Sequence, residues 1–438
     1  MTTPVAAILT CDLVAQVRGR AFPADEIEAY KRSGSGWVPG NLALDPFGRI
    51  ITPNPFGSIG DTRLIPDPST QSEVTNEGGG QAVTVLLSDI VNPDGSAWDC
   101  CPRTFLRNAV SDFEAETGLR VVSSFEHEFM LRDADRVPGN KPFTLESLLT
   151  YEPMGSKVLQ ALRDAGLEPE MWLPEFGDRQ WEVTIAPAPA LVAADRAILL
   201  REIVRNVVRE QGEEATFSPI VEEDGGGNGV HIHLSLTDAA GTPVTFDKSR
   251  PGGLSETAGK FAAGILKYAE ALQVLTASSA VSYERLAPGR WSVGGMFLGE
   301  NNREALLRIC PLFNTPGANH DKQYNLEYRG ADVTSNPWIA LGVLIRAGLA
   351  GITEELAAPT VLSGDLSEIA QETLDAATYG VMPSTLEVAI EGLFANETVM
   401  SWLPSRLLET FRVVKLAEIE FTSALDPDDR YRAYAEAY

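Results

Sequence analysis

The 438-residue sequence predicts a mixed fold of the α+β or α/β class, and three observations predict it. Strand-like and helical runs alternate through most of the chain. The short acidic and histidine motifs sit in the strand-like runs, so the helices are expected outside a sheet that carries the chemistry. Apolar residues make up 44% and charged residues 22%, the profile of an ordinary globular chain long enough to divide into a small and a large domain.

Taken in order, residues 5–9, 13–17 and 83–87 read as strands, separated by Gly/Pro/Asn-rich stretches such as Pro53-Asn54-Pro55-Phe56-Gly57. Asn92-Pro93-Asp94-Gly95 is a strong turn signal, and Pro102 opens a helix over 104–116. A domain boundary near Cys101 follows, giving 1–101 and 102–438. Beyond it, strand-like runs at 121–131, 181–185, 229–236 and 324–329 alternate with helical ones at 156–165, 191–211, 256–277, 336–355 and 384–393. The amphipathic stretch 405–421 reads as a packed surface helix.

Composition excludes some functions. With 35 basic and 61 acidic residues the formal charge is −26, which repels nucleic acid and anionic membranes. An anionic substrate then needs local arginines or metal ions. No run of about eighteen apolar residues occurs, and Met1-Thr2-Thr3-Pro4 lacks the basic segment of a signal peptide, so a cytoplasmic protein is expected. Cys11, Cys100, Cys101 and Cys310 show neither a disulfide framework nor paired metal spacing and read as reduced thiols.

Along a strand, residues i and i+2 point to the same face. Glu126 with Glu128, His231 with His233, and Glu327 with Arg329 therefore each present two functional groups on one side. In Phe125-Glu126-His127-Glu128-Phe129, two carboxylates among aromatics are costly near a core unless a cation compensates. The alternative is a strand with one wet face and two solvated glutamates. In Gly229-Val230-His231-Ile232-His233-Leu234-Ser235, paired imidazoles suit Mn²⁺, a mixed oxygen/nitrogen Mg²⁺ site or a nucleotide. Two structural histidines are the alternative. Glu175 and Glu182 could send further carboxylates from a loop and the next strand into the same site, although singly each reads as solvated. Together these motifs look like a two-cation site for handling ATP.

Arg285, Arg303, Arg308 and Arg329 supply guanidinium groups that clamp carboxylates or phosphates bidentately, while any one alone reads as a surface ion pair. Asp224-Gly225-Gly226-Gly227-Asn228-Gly229 is no P-loop, because it leads into a strand and lacks the Lys-Ser/Thr ending.

In order and local wording, this set resembles the glutamine synthetase family, within it the branch that makes γ-glutamyl amines. The matching stretches run from roughly 89 to 351 and more weakly through 11–23 and 60–67. They comprise the Glu-x-Glu strand, the glutamate pair seven apart, Gly-x-His-x-His, Arg-Leu-x-Pro-Gly, Asn-Arg-x-x-x-x-Arg, and Glu-x-Arg followed by Asn-Pro. The resemblance implies a small β-grasp-like N-terminal domain, and a larger catalytic domain whose sheet forms a bowl or distorted barrel surrounded by helices. It also implies a ring-shaped homo-oligomer with sites between subunits. Glu128, Glu175 and Glu182 would hold one Mg²⁺ or Mn²⁺, and Glu126, His231 and Glu327 the second. His233 and Ser235 would contact ATP, and Arg303 and Arg308 its phosphates. Arg285 would bind the glutamate α-carboxylate, Arg329 the reacting γ-carboxyl group, and Gly227 would face the substrate through its backbone.

Departures from the family concern the amine. Where ammonia-using members carry a flap glutamate two residues after Pro-Gly, this chain has Pro288-Gly289-Arg290-Trp291. Trp291 has no basic oxygen, but its face could line a pocket for an organic amine. The Asp-Gly-Ser-Ser segment of bacterial relatives is replaced by Leu44-Asp45-Pro46-Phe47-Gly48-Arg49. The expectation is an ATP-dependent ligase joining glutamate, or a close analogue, to an organic amine. The alternatives are a glutamine synthetase proper that uses ammonia and a catalytically silent member with a structural or regulatory role.

Overall fold

A computed structural model describes residues 3–74, 81–132, 139, 141–287, 290 and 292–438. Among them two sheets form. The smaller contains β1 (Val5–Cys11), β2 (Val17–Pro23), β3 (Ser35–Trp37), β4 (Thr62–Pro66), β5 (Ser72–Val74) and β6 (Val83–Val91). Its order is β2-β1-β6-β4-β3, with β5 also on β6, and only β1 and β6 run parallel.

The strand expected at 13–17 is a turn. Asp12 captures the backbone N–H groups of Val14 (3.0 Å) and Gln16 (2.9 Å), so its side chain closes the chain on itself and the strand starts at Val17.

The larger sheet holds β7 (Arg120–Arg132), β8 (Pro169–Pro174), β9 (Gln180–Ile185), β10 (Ala188–Pro189), β11 (Glu214–Thr216), β12 (Val230–Thr237), β13 (Gly295–Glu300), β14 (Ala305–Ile309), β15 (Leu326–Tyr328) and β16 (Val361–Ser363). The order is β16-β13-β14-β15-β12-β7-β9-β8, with β10 and β11 on β7. Only β16, β13 and β14 are mutually parallel; the centre is antiparallel. The fold is thus mixed α+β: a small N-terminal β unit and a large unit whose sheet is surrounded by helices, as the resemblance implies.

The main expected helices form, at Pro102–Thr117, Met154–Asp164, Ala190–Glu210, Glu256–Thr276, Pro337–Thr353, Leu386–Ala395 and Ser405–Ser423. Asn336 caps the fifth by accepting from the N–H groups of Trp338 and Ile339, with Pro337 at the first helical position. This helix and Glu256–Thr276 cross closely through two glycines. A Cβ at Gly264 would lie 2.0 Å from Ala347 O, and one at Gly351 2.1 Å from Lys260 O. None of the described helices is long and apolar enough to cross a membrane.

Candidate active site

Strand register assembles the site. In antiparallel pairs, directly opposed residues share a face. Across adjacent strands, Arg308 of β14 opposes Glu327 of β15, Glu327 opposes His233 of β12, His231 opposes Glu126 of β7, and Glu128 opposes Glu182 of β9. Residues scattered over two hundred positions become neighbours because five strands carry them side by side.

Glu126, His231 and Glu327 each offer a ligand atom, all within 4.8 Å of one another. His231 Nδ1 lies 3.2 Å from Glu126 Oε2 and 3.4 Å from Glu327 Oε1. His233 Nε2 lies 3.0 Å from Glu126 Oε1, while its Nδ1 faces Asn325 Oδ1 at 2.8 Å. Glu327 also meets two arginines: Arg308 Nη1 at 2.7 Å from Oε2, and Arg329 Nη1 in a short contact with Oε1. Arg329 Nε donates to the Arg303 carbonyl at 2.9 Å, whereas the Arg303 residue itself is exposed.

The charges divide. Burial pushes Glu327 up, but the Arg329 guanidinium and the two histidines outweigh it and hold the carboxyl down at about 2. Glu126 is likewise held well below the usual range, by His233 and His231 against the effect of burial. His233 is raised well above its ordinary value by Glu126, again against burial. On the other side of β7, burial and then Glu126, Glu128, Glu175 and Glu327 push Glu182 up to about 9. Burial and Glu128 push Glu175 up to about 7. A carboxylate cluster of this density is stable when protonated or when a cation shares it. The oxygen-rich donor set with one imidazole fits a hard divalent ion such as Mg²⁺ or Mn²⁺.

Glycines make room for Arg285, which ends the short helix Ala280–Arg285 and is buried. A Cβ at Gly227 would lie 2.5 Å from Arg285 Cγ, so only glycine fits beside it. Arg285 Nη2 donates to Ala331 O at 2.8 Å. Ser235 lies two positions beyond His233 on β12 and is half-buried. Trp291, with Pro288 and Gly289, lies outside the described residues.

Asp45 is fully buried and committed locally. It accepts from the backbone N–H of Phe47 (3.1 Å) and Arg49 (2.8 Å), and pairs with Arg49 Nη2 at 2.6 Å.

Sequence reasoning missed Asn325, Cys310 and Gln180. Asn325 stands two before Glu327, so the same-face spacing could have found it. Cys310 Sγ sits 3.9 Å from His233 Nδ1 and 3.7 Å from Glu327 Oε2, and burial pushes its thiol up. Gln180 lies inside the Glu175–Glu182 segment but carries no charge to draw notice.

Comparison with known proteins identifies the family. The family model for the glutamine synthetase N-terminal domain matches residues 2–98, and that for the glutamine synthetase catalytic domain matches 99–433. The chain is 29% identical to the gamma-glutamylpolyamine synthetase GlnA3 of Streptomyces coelicolor, covering 98% of this chain and 92% of that protein. It is 28% identical to a glutamate–isopropylamine ligase of a Pseudomonas species, covering 82% and 78%. A crystal structure of a glutamine synthase homolog is 38% identical and superposes with a TM-score of 0.91, covering 100% of this chain and 99% of that one. With two domain models spanning nearly its whole length and a shared fold behind them, the chain belongs to the glutamine synthetase family.

Proposed function

We propose that this protein is an ATP-dependent ligase that joins the γ-carboxylate of glutamate, or a close analogue, to an organic amine through a γ-glutamyl phosphate. Glu128, Glu175 and Glu182 would hold one divalent cation, and Glu126, His231 and Glu327 the other. Bound there, Mg²⁺ or Mn²⁺ would neutralise charge on the triphosphate. His233 and Ser235 would contact ATP, with Arg303 and Arg308 on its phosphates. Arg285 would hold the glutamate α-carboxylate beside the Gly227 backbone. Arg329 would steady the γ-carboxyl group as it attacks phosphorus, and an amine would then displace phosphate to leave the amide.

The observation that carries the choice of an organic amine is the contrast between the two halves of the site. The acidic cluster, its histidines and its arginines converge on neighbouring strands. The ammonium side is altered: Trp291 stands where ammonia-using relatives have a flap glutamate, and Asp45 is buried against Arg49. Two relatives bear names that specify organic amines as acceptors, a polyamine and isopropylamine. The division into 1–101 and 102–438, and a ring in which sites lie between subunits, belong to the same proposal.

The test is phosphate release by the purified protein with ATP, Mg²⁺, glutamate and a panel comprising ammonia, short alkylamines, arylamines and polyamines. An organic amine should exceed ammonia in kcat/KM. Ammonia as the best acceptor by a wide margin would return the protein to ordinary glutamine synthesis. No Mg²⁺-dependent ATP binding would point instead to a silent assembly.

A further inference from the structure

Gln180 opens β9 and is buried, and no role described above uses it. Its amide Oε1 accepts from Gly177 N at 2.8 Å. Among the described residues its Nε2 faces Gly227 O at 2.8 Å, Asn228 Oδ1 at 3.0 Å and Glu128 Oε2 at 3.3 Å. Only the NH₂ end can face three acceptors, so the orientation of the amide follows from its surroundings. That group has two hydrogens for three oxygens, and the acceptors compete. Glu128 Oε2 is held in addition by Gly229 N at 2.8 Å.

The two loops that meet at Gln180 touch through their backbones. A Cβ at Gly226 would lie 3.1 Å from Gly177 Cα, and one at Gly177 would lie 2.7 Å from Gln180 Oε1. Asn228 is anchored in turn, its N–H to Pro219 O at 2.8 Å and its Nδ2 to Ser218 O at 2.9 Å. The amide is held at both ends, by Gly177 N–H on its oxygen and by Gly227 O and Asn228 Oδ1 on its nitrogen, so a shift of Glu128 would leave its hydrogens to the 226–229 loop.

We infer that Gln180 is a positioning residue that couples the cation held through Glu128 to the substrate held at Gly227, so that each tightens the binding of the other. This rests on the reading of the site given under Proposed function. When Glu128 turns its charge to a cation, the longest of the three contacts is released. Both amide hydrogens are then free for Gly227 O and Asn228 Oδ1, which fixes the loop against Arg285. The reverse follows by linkage: substrate that orders the loop draws Gln180 from Glu128 and frees that carboxylate for the cation.

The test is calorimetric titration of Mn²⁺ into the full chain with and without glutamate, for wild type, Gln180→Met and Gln180→Glu, each shown folded by its melting curve. Wild-type affinity for Mn²⁺ should rise about tenfold in glutamate, and the factor should fall below about twofold in the variants. Gln180→Glu keeps the size and the acceptor for Gly177 N and has at most one donor, when protonated among the facing carboxylates, so it cannot serve Gly227 O and Asn228 Oδ1 together; it decides the matter if Gln180→Met does not fold. Its added charge changes the absolute Mn²⁺ affinity, so the ratio with and without glutamate is the quantity read. An unchanged ratio in a folded variant overturns the coupling through Gln180, as does a wild type that binds both ligands independently. A wild type that binds Mn²⁺ but no glutamate overturns the reading of the site, and the coupling with it.

Discussion

Glu182 and Glu175 retain protons that most glutamates have lost at neutral pH, with values of about 9 and about 7. Burial is the first cause in both, and the facing carboxylates add to it. A carboxylate ligates a metal only when ionised, so a cation held by Glu175 and Glu182, as proposed, would have to displace those protons. Mn²⁺ binding at pH 7 is expected to release about one to two protons per chain, with apparent affinity rising between about pH 6 and 9. Titration calorimetry in two buffers of different ionisation enthalpy counts them; heat independent of buffer would remove Glu175 and Glu182 from the ligand set. The sign for stability without metal is the opposite. A carboxyl whose folded pKa exceeds its unfolded value contributes stability below the unfolded value and loses it as pH rises through the folded one. That interval runs from 4.5 to about 7 for Glu175 and to about 9 for Glu182, so the metal-free melting temperature should fall across it. Glu327, held at about 2, stays ionised throughout and needs no such displacement.

The loop 226–229 controls where Arg285 lies, and one methyl group tests it. An alanine at Gly227 would bring its Cβ 2.5 Å from Arg285 Cγ and 3.2 Å from Pro219 O, and the guanidinium must shift. With reacting groups displaced by about 1 Å, a loss of about a hundredfold in kcat/KM for glutamate is expected. KM for ATP should be unaffected; an equal rise in both Michaelis constants would place Arg285 outside the glutamate site. The motifs on β7, β12 and β15 were legible because period-two spacing survives in a few residues. Arg303 and Arg308 were legible as residues but not as parts of a sheet, since β13 and β14 are short and joined by the polar turn of Asn301, Asn302, Arg303 and Glu304. β8 begins and ends in proline, which masks a strand. Residues 13–17 misled because an apolar run says nothing of the Asp12 carboxylate that folds it into a turn. Above all, the facing of Glu126 by His231 and of Glu128 by Glu182 depends on pairing between distant strands, and no local pattern encodes register.

At the scale of the molecule, the small sheet is tied to the large unit by several polar contacts, and Arg103 is a buried one. It is 1% exposed and donates to Asp195 through Nε (3.0 Å) and Nη2 (2.8 Å), to Asp67 on the N-terminal side at 2.9 Å, and to Asp89 of β6 at 3.3 Å. Asn336 adds hydrogen bonds to the carbonyls of Cys11 (3.0 Å) and Asp12 (2.9 Å), so the helix Pro337–Thr353 and the end of β1 share one anchor. Removing one partner of a buried ion pair leaves the other charge without compensation, at a cost of about 3–5 kcal/mol. Arg103→Ala should therefore lower the melting temperature, and calorimetry should show the two units losing their common transition. The pH dependence identifies the cause. Burial raises Asp195 even with Arg103 beside it, and without the guanidinium its carboxyl favours the protonated form further. Proton uptake then relieves the buried charge, so the deficit of Arg103→Ala relative to wild type should shrink as pH falls toward 5. A deficit constant from pH 8 to 5 would mean that lost packing around Arg103, rather than the stranded Asp195 charge, accounts for the instability.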